Sequence, residues 1–496
     1  MKKKSNPALR VKRKAVMIEL NNSRVITRPH IPANENRIKN IISRTLSLDD
    51  DSVKTLLDKV LDEFSDRHRH FKTILKKNFE LVKPHIKNDI FFSEEKILLL
   101  GSYFTMEYSI EAAALFNPSI VTHPIQLDIQ NGEIRFIMSF RATGEGHISS
   151  IEFRAGTIDS ENEIHFDPVS KYVDTPDIHP DPKYDARLFR QKLKEMGTCS
   201  EAANYLIDKL GNTFTFEQLK KKIADLNSDD DYIRRYTART RQEAMDLAMW
   251  VARSNYEMQF IPSHSISERV IFPVSDSESR GIEDARFVRF VDDDNTITYY
   301  ATYTAYNGIA ILPQLMETKD FIKFNVITLN GKAVQNKGMA LFPRKVNGKY
   351  AMLSRQDGEN NYIMFSENLH FWHEAQILQR PTYPWEFVQI GNCGSPIETS
   401  AGWLVLVHGV GPMRQYGISI ELLDLEDPSK IIGRIKEPIL TPDRSEREGY
   451  VPNVVYSCGA MIHNNELIIP YAIADQKTTI ATISVPEILS LMSKSL

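Results

Sequence analysis

The chain has 496 residues, of which 42% are hydrophobic, 9% aromatic and 25% charged, and its formal net charge is −4. This composition is typical of a globular protein with a large core, and it favours neither nucleic acid nor a membrane as a partner. No segment has the length and apolarity of a transmembrane helix. Three widely spaced cysteines, Cys199, Cys393 and Cys458, predict reduced thiols in a cytoplasmic protein and match no metal-site spacing.

Residues 1–95 are predicted to form a basic tail followed by a helical region. The tail carries seven lysine and arginine residues before position 15. It lacks the apolar run of a signal peptide and is interpreted as a disordered, solubilising arm. Apolar residues then recur at helical spacing over 53–64 and 71–82, and a further helix is predicted over 93–114.

From Phe116 onward the pattern changes to short apolar runs separated by turn residues, which predicts strands. Five runs start after a turn signal and end near polar residues: 133–142, 297–306, 348–355, 402–408 and 466–475. The last four are spaced by roughly 50–65 residues, the scale of one four-stranded propeller blade. We therefore predict a mainly β fold, a five-bladed β-propeller over residues 96–496. A two-sheet β-sandwich is the alternative, since periodicity cannot establish closure.

A helical insertion is predicted within this β region, at residues 180–254. Helix-type apolar spacing occurs in four segments, 187–196, 201–210, 216–226 and 237–250. Four helices do not fit inside one blade, so we interpret them as an inserted subdomain. Together with the N-terminal helices they are candidates for a homo-oligomer interface or for a cap over the propeller funnel.

The segment Gly281–Phe290 contains Glu283, Asp284 and Arg286 between a loop and a strand-like run. Adjacent side chains on an extended chain point to opposite faces. One of the two carboxylates is therefore expected to face a cavity while the other braces the loop. Taken alone, such a pair is more often a solvated acidic turn than a catalytic one, but polar residues elsewhere favour the catalytic interpretation.

Polar side chains end the five predicted strands. In a propeller the corresponding ends of the innermost strands converge on one funnel, so these residues are predicted to lie near Asp284. A single polar strand end is more often solvated than functional, but five in register favour a binding site. Carboxylate and guanidinium groups suit the hydroxyls of a carbohydrate, and no nucleotide-binding, nucleophile-elbow or zinc-protease motif is present. The strand-end residues are Arg141, Thr304, Tyr306, Arg355, Asp357, His408 and Asp475.

Several short motifs occur in a fixed order along the chain. Phe116-Asn-Pro-Ser119 precedes Phe140-Arg-Ala142, and Gly281-Ile-Glu-Asp-Ala-Arg286 is similar to a Glu-Asp-Pro-Arg motif with alanine in place of the proline. This set resembles glycoside hydrolase family 130, which implies a five-bladed propeller acting on β-mannosides by inversion. The resemblance covers roughly 116–180 and 255–490 and leaves the helical regions unexplained. The other matching segments are Tyr303–Tyr306, Ala340–Gly348, His408–Val410, Val451–Val454 and Ala472–Asp475.

By this resemblance Asp284 is the general acid, which passes its proton to the glycosidic oxygen through the 3-hydroxyl of the mannosyl residue. Such an acid needs a pKa raised by burial or by neighbouring acids. Other polar residues are expected to contact the sugar, and cationic groups suit a phosphate dianion. The expected sugar-binding residues are Asn117, Arg141, Glu283, Arg286, Tyr306, Asp357, Asn453 and Asp475, and the expected phosphate-binding residues are Lys337, Arg344, Arg355 and His408.

The group that attacks the sugar distinguishes two enzymes. A phosphorylase uses inorganic phosphate as a co-substrate, whereas a hydrolase uses water activated by a second carboxylate, for which Glu359, Glu386 and Glu398 are candidates. No basic residue follows Tyr306 directly, which counts against phosphorolysis, but a cytoplasmic location favours it because a phosphorylated sugar is retained there. We therefore expect a β-mannoside phosphorylase without cofactor or metal, with a β-1,2-mannosidase and a non-catalytic carbohydrate-binding propeller as alternatives.

Overall fold

The computed structural model describes residues 11–86, 91–127, 129–180, 183–195, 201–308 and 311–492. None of the described helices is long and apolar enough to cross a membrane. Within these residues the α-helices are α1 (Glu35–Leu46), α2 (Asp50–Phe64), α3 (Phe71–Val82), α4 (Glu94–Tyr103), α5 (Ala186–Glu195), α6 (Glu201–Asp208), α7 (Phe216–Leu226), α8 (Asp230–Arg235), α9 (Ala238–Arg253) and α10 (Val485–Met492).

The strands follow in chain order. The first half of the chain contains β1 (Lys12–Ile18), β2 (Val25–Pro29), β3 (Thr105–Ser109), β4 (Ala114–Thr122), β5 (Ile134–Thr143), β6 (Ser149–Ile158), β7 (Ile164–Phe166), β8 (Asp177–Pro180), β9 (Tyr184–Asp185) and β10 (Thr213–Phe214). Then come β11 (Tyr256–Gln259), β12 (Val270–Ile271), β13 (Gly281–Val291), β14 (Ile297–Tyr306), β15 (Ile311–Thr318), β16 (Lys323–Thr328), β17 (Lys337–Leu341), β18 (Tyr350–Arg355), β19 (Asn361–Ser366) and β20 (Gln376–Gln379). The last are β21 (Gln389–Asn392), β22 (Ile397–Thr399), β23 (Gly402–Val410), β24 (Tyr416–Leu423), β25 (Ile431–Arg434), β26 (Val455–Tyr456), β27 (Met461–His463), β28 (Glu466–Ile473) and β29 (Lys477–Ser484).

Within the described residues, five antiparallel sheets have four or more strands. Sheet 1 has the order β12-β6-β5-β4, with β7 paired to β6, and sheet 2 has the order β13-β14-β15-β16-β11-β8. Sheet 3 is β17-β18-β19-β20, and sheet 4 is β21-β23-β24-β25 with β22 paired to β23. Sheet 5 is β26-β28-β29-β1, with β27 paired to β28. The fold is therefore mainly β, as predicted.

Each sheet contacts the next one in chain order, and sheet 5 contacts sheet 1. β4 touches β13 and β28, β14 touches β17, β18 touches β21, and β24 touches β26. A cluster of buried apolar side chains fills each of the five junctions. Between sheets 1 and 2, for example, Phe153 packs edge-on against Phe287 with ring centroids 5.8 Å apart. Burial of these faces holds the sheets together.

The five strands predicted from apolar runs are present as β5, β14, β18, β23 and β28. Each is the second strand of its sheet, next to β4, β13, β17, β21 or β26, so the predicted strands are not the edge strands at which these sheets begin. Apolar runs mark the second strands because these are paired on both sides and buried, whereas several edge strands are short or irregular, which weakens the alternating pattern.

The N-terminal basic segment is only partly outside the described residues, and the part described is not a disordered arm. Residues 12–18 form β1, which pairs with β29 and completes sheet 5. Lys12 Nζ donates to Glu466 Oε1 at 2.8 Å, and Lys14 Nζ donates to Glu163 Oε1 at 2.6 Å. The basic side chains of this strand are therefore partners of acidic groups on sheets 5 and 1. Lys2, Lys3, Lys4 and Arg10 lie outside the described residues.

The predicted N-terminal helices over 53–64 and 71–82 are confirmed as α2 and α3. Asp49 caps α2 by accepting a hydrogen bond from Ser52 N at 2.8 Å. The helix predicted over 93–114 is wrong beyond residue 103, because α4 ends at Tyr103 and residues 105–109 form β3. β3 pairs with β2, where buried Tyr108 stands opposite buried Ile26. This long-range pairing outweighs the local helical pattern.

In the described part of the insertion the helices are α5 to α9, one more than the four predicted; the additional helix, α8, has six residues and is too short for a clear periodic pattern. They share an apolar core of their own, which includes Phe189, Leu206, Tyr232 and Met245. β8 and β11 flank the insertion and pair with each other at the outer edge of sheet 2. The chain therefore leaves and re-enters the sheet at adjacent strands, so the insertion does not interrupt the core.

Candidate active site

Three edge strands, β4, β13 and β17, carry the same β-bulge near one end, with two residues opposite one residue of the neighbouring strand. The first residue of each bulge has a left-handed backbone conformation, which asparagine, aspartate and glycine adopt at the lowest cost. Bulges of this kind re-aim side chains next to active sites. The three left-handed residues are Asn117 (φ 49°), Asp284 (φ 55°) and Gly338 (φ 76°).

The bulges bring residues of sheets 1, 2 and 3 together around Asp284. Asn117 Nδ2 donates to Asp284 Oδ1 at 2.7 Å, and Lys337 Nζ donates to Glu283 Oε2 at 2.6 Å. Arg141 reaches both carboxylates, with Nη2 at 3.0 Å from Glu283 Oε1 and Nη1 at 3.5 Å from Asp284 Oδ1. The expectation that Glu283 and Asp284 face opposite ways is therefore wrong, because the bulge breaks the alternation of the strand.

The protonation of Asp284 differs from what a general acid was expected to show. Burial favours its neutral form, but the positive charges of Arg141 and Arg286 and the hydrogen bond from Asn117 outweigh burial, so the pKa of Asp284 is lowered. The carboxyl group is therefore ionised in the ligand-free site at neutral pH. Sequence reasoning predicted a raised pKa because it could not count the cations around the group.

Asp475 adds a third carboxyl group to those of Glu283 and Asp284. It follows β28 in a left-handed conformation, with φ 50°. Burial and the negative charge of Asp284 raise its pKa to about 6, while Arg141 opposes them. The pKa values of Asp284 and Asp475 are therefore shifted in opposite directions, an arrangement typical of sites that carry out acid–base catalysis.

Arg286, predicted to bind substrate, is buried and braces the floor of the site instead. Its Nη1 donates to Asn392 Oδ1 at 2.5 Å and to Asn392 O at 3.0 Å, and its Nη2 donates to Tyr456 Oη at 2.6 Å. The side chain thereby connects sheet 2 to sheets 4 and 5. Sequence reasoning missed Asn392 and Tyr456, which lie on short strands without a periodic signal.

Three of the four predicted phosphate-binding residues lie close together, on β17 and β18 of sheet 3 and on β23 of sheet 4. Lys337 stands opposite Arg355 in the β17–β18 pairing, and Arg355 Nη1 donates to His408 Nε2 at 3.3 Å. Burial and the charges of Arg355 and Arg286 hold the pKa of His408 well below its usual value, so the imidazole is neutral. Among the described residues, the Nε atoms of Arg141 and Arg355 are buried without a hydrogen-bond partner.

Arg344, the fourth predicted phosphate ligand, lies elsewhere. It follows the far end of β17, where its Nε and Nη2 each donate to the carboxylate of Glu398 at 2.8 Å. Its guanidinium also stacks over Trp403, with Cζ 4.8 Å from the ring centroid. With Glu398 it lines a separate cavity of about 440 Å³. The prediction failed because Lys337 and Arg344 are seven residues apart, so they lie at opposite ends of the strand.

The candidate base residues are separated as well. Glu398 is paired with Arg344, away from Asp284. Glu386 is buried and accepts hydrogen bonds from Arg434 Nη2 at 2.8 Å and from Tyr383 N at 2.7 Å, so it braces sheet 4. Glu359 is exposed in the loop between β18 and β19.

The remaining predicted sugar contacts lie on the rim or in turns. Tyr306 stands opposite Gly281, at the end of β14 nearest Asp284. Asn453 has a left-handed backbone, φ 63°, and accepts a hydrogen bond from Arg447 Nε at 3.0 Å. Asp357 is exposed and accepts hydrogen bonds from Asn360 N and Tyr362 Oη, both at 2.8 Å. Partial desolvation raises its pKa, but these hydrogen bonds outweigh that effect and lower the pKa to about 2. Its carboxylate thus holds its own loop.

A small cavity of about 10 Å³ lies behind Asp284, lined also by Thr302, Thr304, Pro313 and Lys337. A space of this size holds about one water molecule. A carboxylate that shares its site with amide, guanidinium and ammonium groups, where strands of several sheets meet, is typical of an enzyme that binds and cleaves glycosides.

The comparison with known families agrees with this class. The family model described as beta-1,4-mannooligosaccharide phosphorylase matches residues 233–494, more than half of the chain. The protein belongs to this family, glycoside hydrolase family 130, as its motifs predicted.

Individual relatives are similar to part of the chain. A 1,2-beta-oligomannan phosphorylase of Thermoanaerobacter sp. is 37% identical over 220 residues, which cover 43% of this chain and 72% of the relative. A beta-1,2-mannobiose phosphorylase of the same source is 35% identical over 219 residues, covering 42% of this chain and 68% of the relative. The solved structure of the beta-1,2-mannobiose phosphorylase from Listeria innocua with beta-1,2-mannobiose is 23% identical. Its alignment covers 78% of this chain and 93% of that chain with a TM-score of 0.45.

Proposed function

We propose that this enzyme is an inverting glycoside phosphorylase that transfers a mannosyl unit from a β-mannoside to inorganic phosphate. Membership of the family and the names of two relatives, both phosphorylases of 1,2-linked mannosides, support this function. The observation that carries the proposal is the Asp284 cluster. It combines a half-buried carboxylate held by Asn117 and Arg141 with cationic side chains, Lys337 and Arg355, on the adjacent sheet.

We propose that the five sheets are the blades of a five-bladed β-propeller formed by residues 96–496 together with β1 (Lys12–Ile18), which completes sheet 5. The rest of residues 1–95 would then be an N-terminal, mainly helical region, and residues 180–254 an insertion into the catalytic domain. The cyclic order of contacts between successive sheets supports this arrangement. The helical regions are proposed as surfaces of a homo-oligomer, and the enzyme is proposed to act in the cytoplasm, where a phosphorylated sugar is retained.

Asp284 is the proposed general acid. Because its pKa is lowered in the ligand-free site, the Asp284 carboxylate has to take up a proton when the substrates bind. Two changes raise the pKa at that point: the sugar displaces water from the carboxylate, and a phosphate dianion offsets the charges of Arg141 and Lys337. The family resemblance implies that the proton then passes through the mannosyl 3-hydroxyl to the oxygen that leaves C1.

The proposed phosphate site consists of Lys337, Arg355 and His408. Arg355 supplies guanidinium donors, Lys337 supplies a point charge, and neutral His408 supplies a ring nitrogen that can donate or accept. A phosphate oxygen forms the new bond to C1 on the face opposite to the bond that breaks, so one displacement inverts the configuration. The products are an α-mannosyl phosphate and the shortened sugar.

The test is turnover of a panel of β-1,2- and β-1,4-linked manno-oligosaccharides with and without inorganic phosphate. We expect mannose 1-phosphate to form only when phosphate is present. Equal release of free mannose under both conditions would instead identify a β-mannosidase. If no substrate turns over and Asp284→Asn leaves carbohydrate binding unchanged, the chain is a non-catalytic binding protein.

A further inference from the structure

A cleft of about 650 Å³ lies between α5 of the insertion and the edge of sheets 2 and 3; we call it the α5 cleft. Its volume falls within the roughly 300–1,000 Å³ typical of small-molecule sites. We propose that the α5 cleft binds the distal units of an oligosaccharide substrate, those that follow the first sugar beyond the bond being cleaved. This inference rests on the proposed function, and it gives the helical insertion a role in selecting longer substrates.

The cleft adjoins the Asp284 cluster through two segments of chain. Pro313 lines both the α5 cleft and the small cavity behind Asp284. In sheet 2, Pro313 stands opposite Thr304, which in turn stands opposite Glu283. Two strand spacings, about 10 Å, therefore separate Glu283 from Pro313, so the cleft lies close to the cluster.

The loop before β17 makes the second connection. Its residues 331–335 contribute to the wall of the cleft, and Lys337, two residues further on, donates to Glu283. The helix is fixed over this loop because Glu195 Oε1 accepts a hydrogen bond from Gly331 N at 2.8 Å. Glu195 also pairs with buried Lys192, with Nζ 3.2 Å from Oε2. Lys192 and Glu195 therefore hold the wall of the cleft in place, and a ligand would be bound by other lining residues.

The lining suits a pyranose chain. Leu312, Pro313 and Val334 present apolar surface, which suits the C–H faces of sugar rings. Exposed Lys194 on α5 and exposed Lys332 on the loop supply ammonium donors from both walls, which suit hydroxyl oxygens. The apolar part of this surface would not contribute to the binding of an inorganic phosphate ion, so the lining favours an oligosaccharide.

The experiment compares kcat/KM for mannobiose and mannotetraose of the linkage that the enzyme cleaves. In the double variant Lys194→Ala/Lys332→Ala we expect kcat/KM for mannotetraose to fall about tenfold, the effect of one to two lost hydrogen bonds. The value for mannobiose should stay within about twofold because the shorter substrate makes no contact with these residues. Lys220→Ala is the matched control: it lies on α7 of the same insertion, pairs with Glu217 at 3.1 Å and should change neither value.

Other outcomes overturn one proposal or the other. Equal losses for both substrates, or no loss, overturn the α5 cleft as a substrate site. A raised KM for phosphate with both substrates makes it an anion site instead. Calorimetric binding of mannotetraose separates the two proposals: binding that the double variant weakens, without any turnover by the unaltered enzyme, overturns the phosphorylase function and supports the cleft.

Discussion

At the scale of single residues, the charge state of the site depends on the groups around it. Asp284 and Asp475 share the field of Arg141, yet the pKa of Asp284 is lowered while that of Asp475 is raised. The difference arises because Asp284 also has Arg286 and a hydrogen bond from Asn117, whereas Asp475 has the negative charge of Asp284 close by. An aspartate's role therefore follows from its neighbours.

Asp284→Asn tests the proposed acid. Asparagine preserves the shape of the side chain and an oxygen that can accept from Asn117, but it has no acidic proton to give. We expect kcat to fall by about 10²–10⁴-fold, the usual contribution of acid catalysis. Asp294→Asn in the turn after β13, where Asp294 Oδ1 accepts from Thr296 N at 2.8 Å, is the control. A variant that keeps more than about a tenth of the activity would contradict the role of Asp284.

Asp475→Asn tests the raised pKa through stability. The pKa of Asp475 is about 6 in the folded protein and about 3.9 in an unfolded chain. Below pH 4 both states are protonated, and as the pH rises the unfolded state ionises first, so this group destabilises the fold increasingly up to about pH 6. The variant should therefore gain up to about 2 kcal/mol over the unaltered protein at pH 7.5 and much less at pH 4.

Urea unfolding across this pH range measures the effect. A gain in the free energy of unfolding that is the same at pH 4 and pH 7.5 would show that it comes from packing and not from ionisation.

At the scale of elements, the three bulges position the site. The residue types at the bulges can be read from the sequence, since asparagine, aspartate and glycine, here Asn117, Asp284 and Gly338, all tolerate a left-handed backbone. Their shared register becomes visible only in the strand pairing, because each bulge is defined by the residue opposite to it on another strand. A local pattern cannot report that partner.

Gly338→Ala tests the bulge of β17. Alanine at this position would have to adopt a φ of 76°, which is unfavourable for a residue with a Cβ, and its methyl group would lie 3.3 Å from Arg355 Cβ. We expect a loss of about 1 kcal/mol in stability and a raised KM for phosphate, because Arg355 has to move. Gly348→Ala is the matched control in the same sheet: its φ is 75°, but nothing lies within 4 Å of the added methyl. If both variants have the same KM for phosphate, Arg355 is not part of the phosphate site.

At the scale of the whole molecule, β1 joins the beginning of the chain to its end. It pairs with β29 and covers the edge of sheet 5. We expect deletion of residues 1–18 to lower Tm and to promote aggregation, because β29 then becomes an open edge strand. Deletion of residues 1–10 should leave both unchanged, since β1 keeps its pairing. Thermal unfolding and light scattering of the two truncated proteins measure this, and equal behaviour would show that β1 contributes nothing to the stability of sheet 5.

Much of the fold could be predicted from the sequence because helices and buried strands leave local patterns. Apolar spacing located α2 and α3, most of the inserted helices and the second strand of every large sheet. The pattern failed where long-range pairing decides the structure. One such place is β3, which pairs with β2 although helices α1 to α4 lie between them in the chain, and another is β1, whose basic residues pair with acidic groups far along the sequence.

The sequence by itself determined the family, the mainly β fold and the identity of the central carboxylates, because motifs and apolar periodicity are properties of neighbouring residues. Only the tertiary structure decided which charged residues meet. It brought Asn117, Arg141, Lys337 and Asp475 to Asp284 and moved Arg344 to the far end of its strand. The physical reason is that electrostatic interactions depend on distance in space, and strand pairing sets that distance between residues hundreds of positions apart.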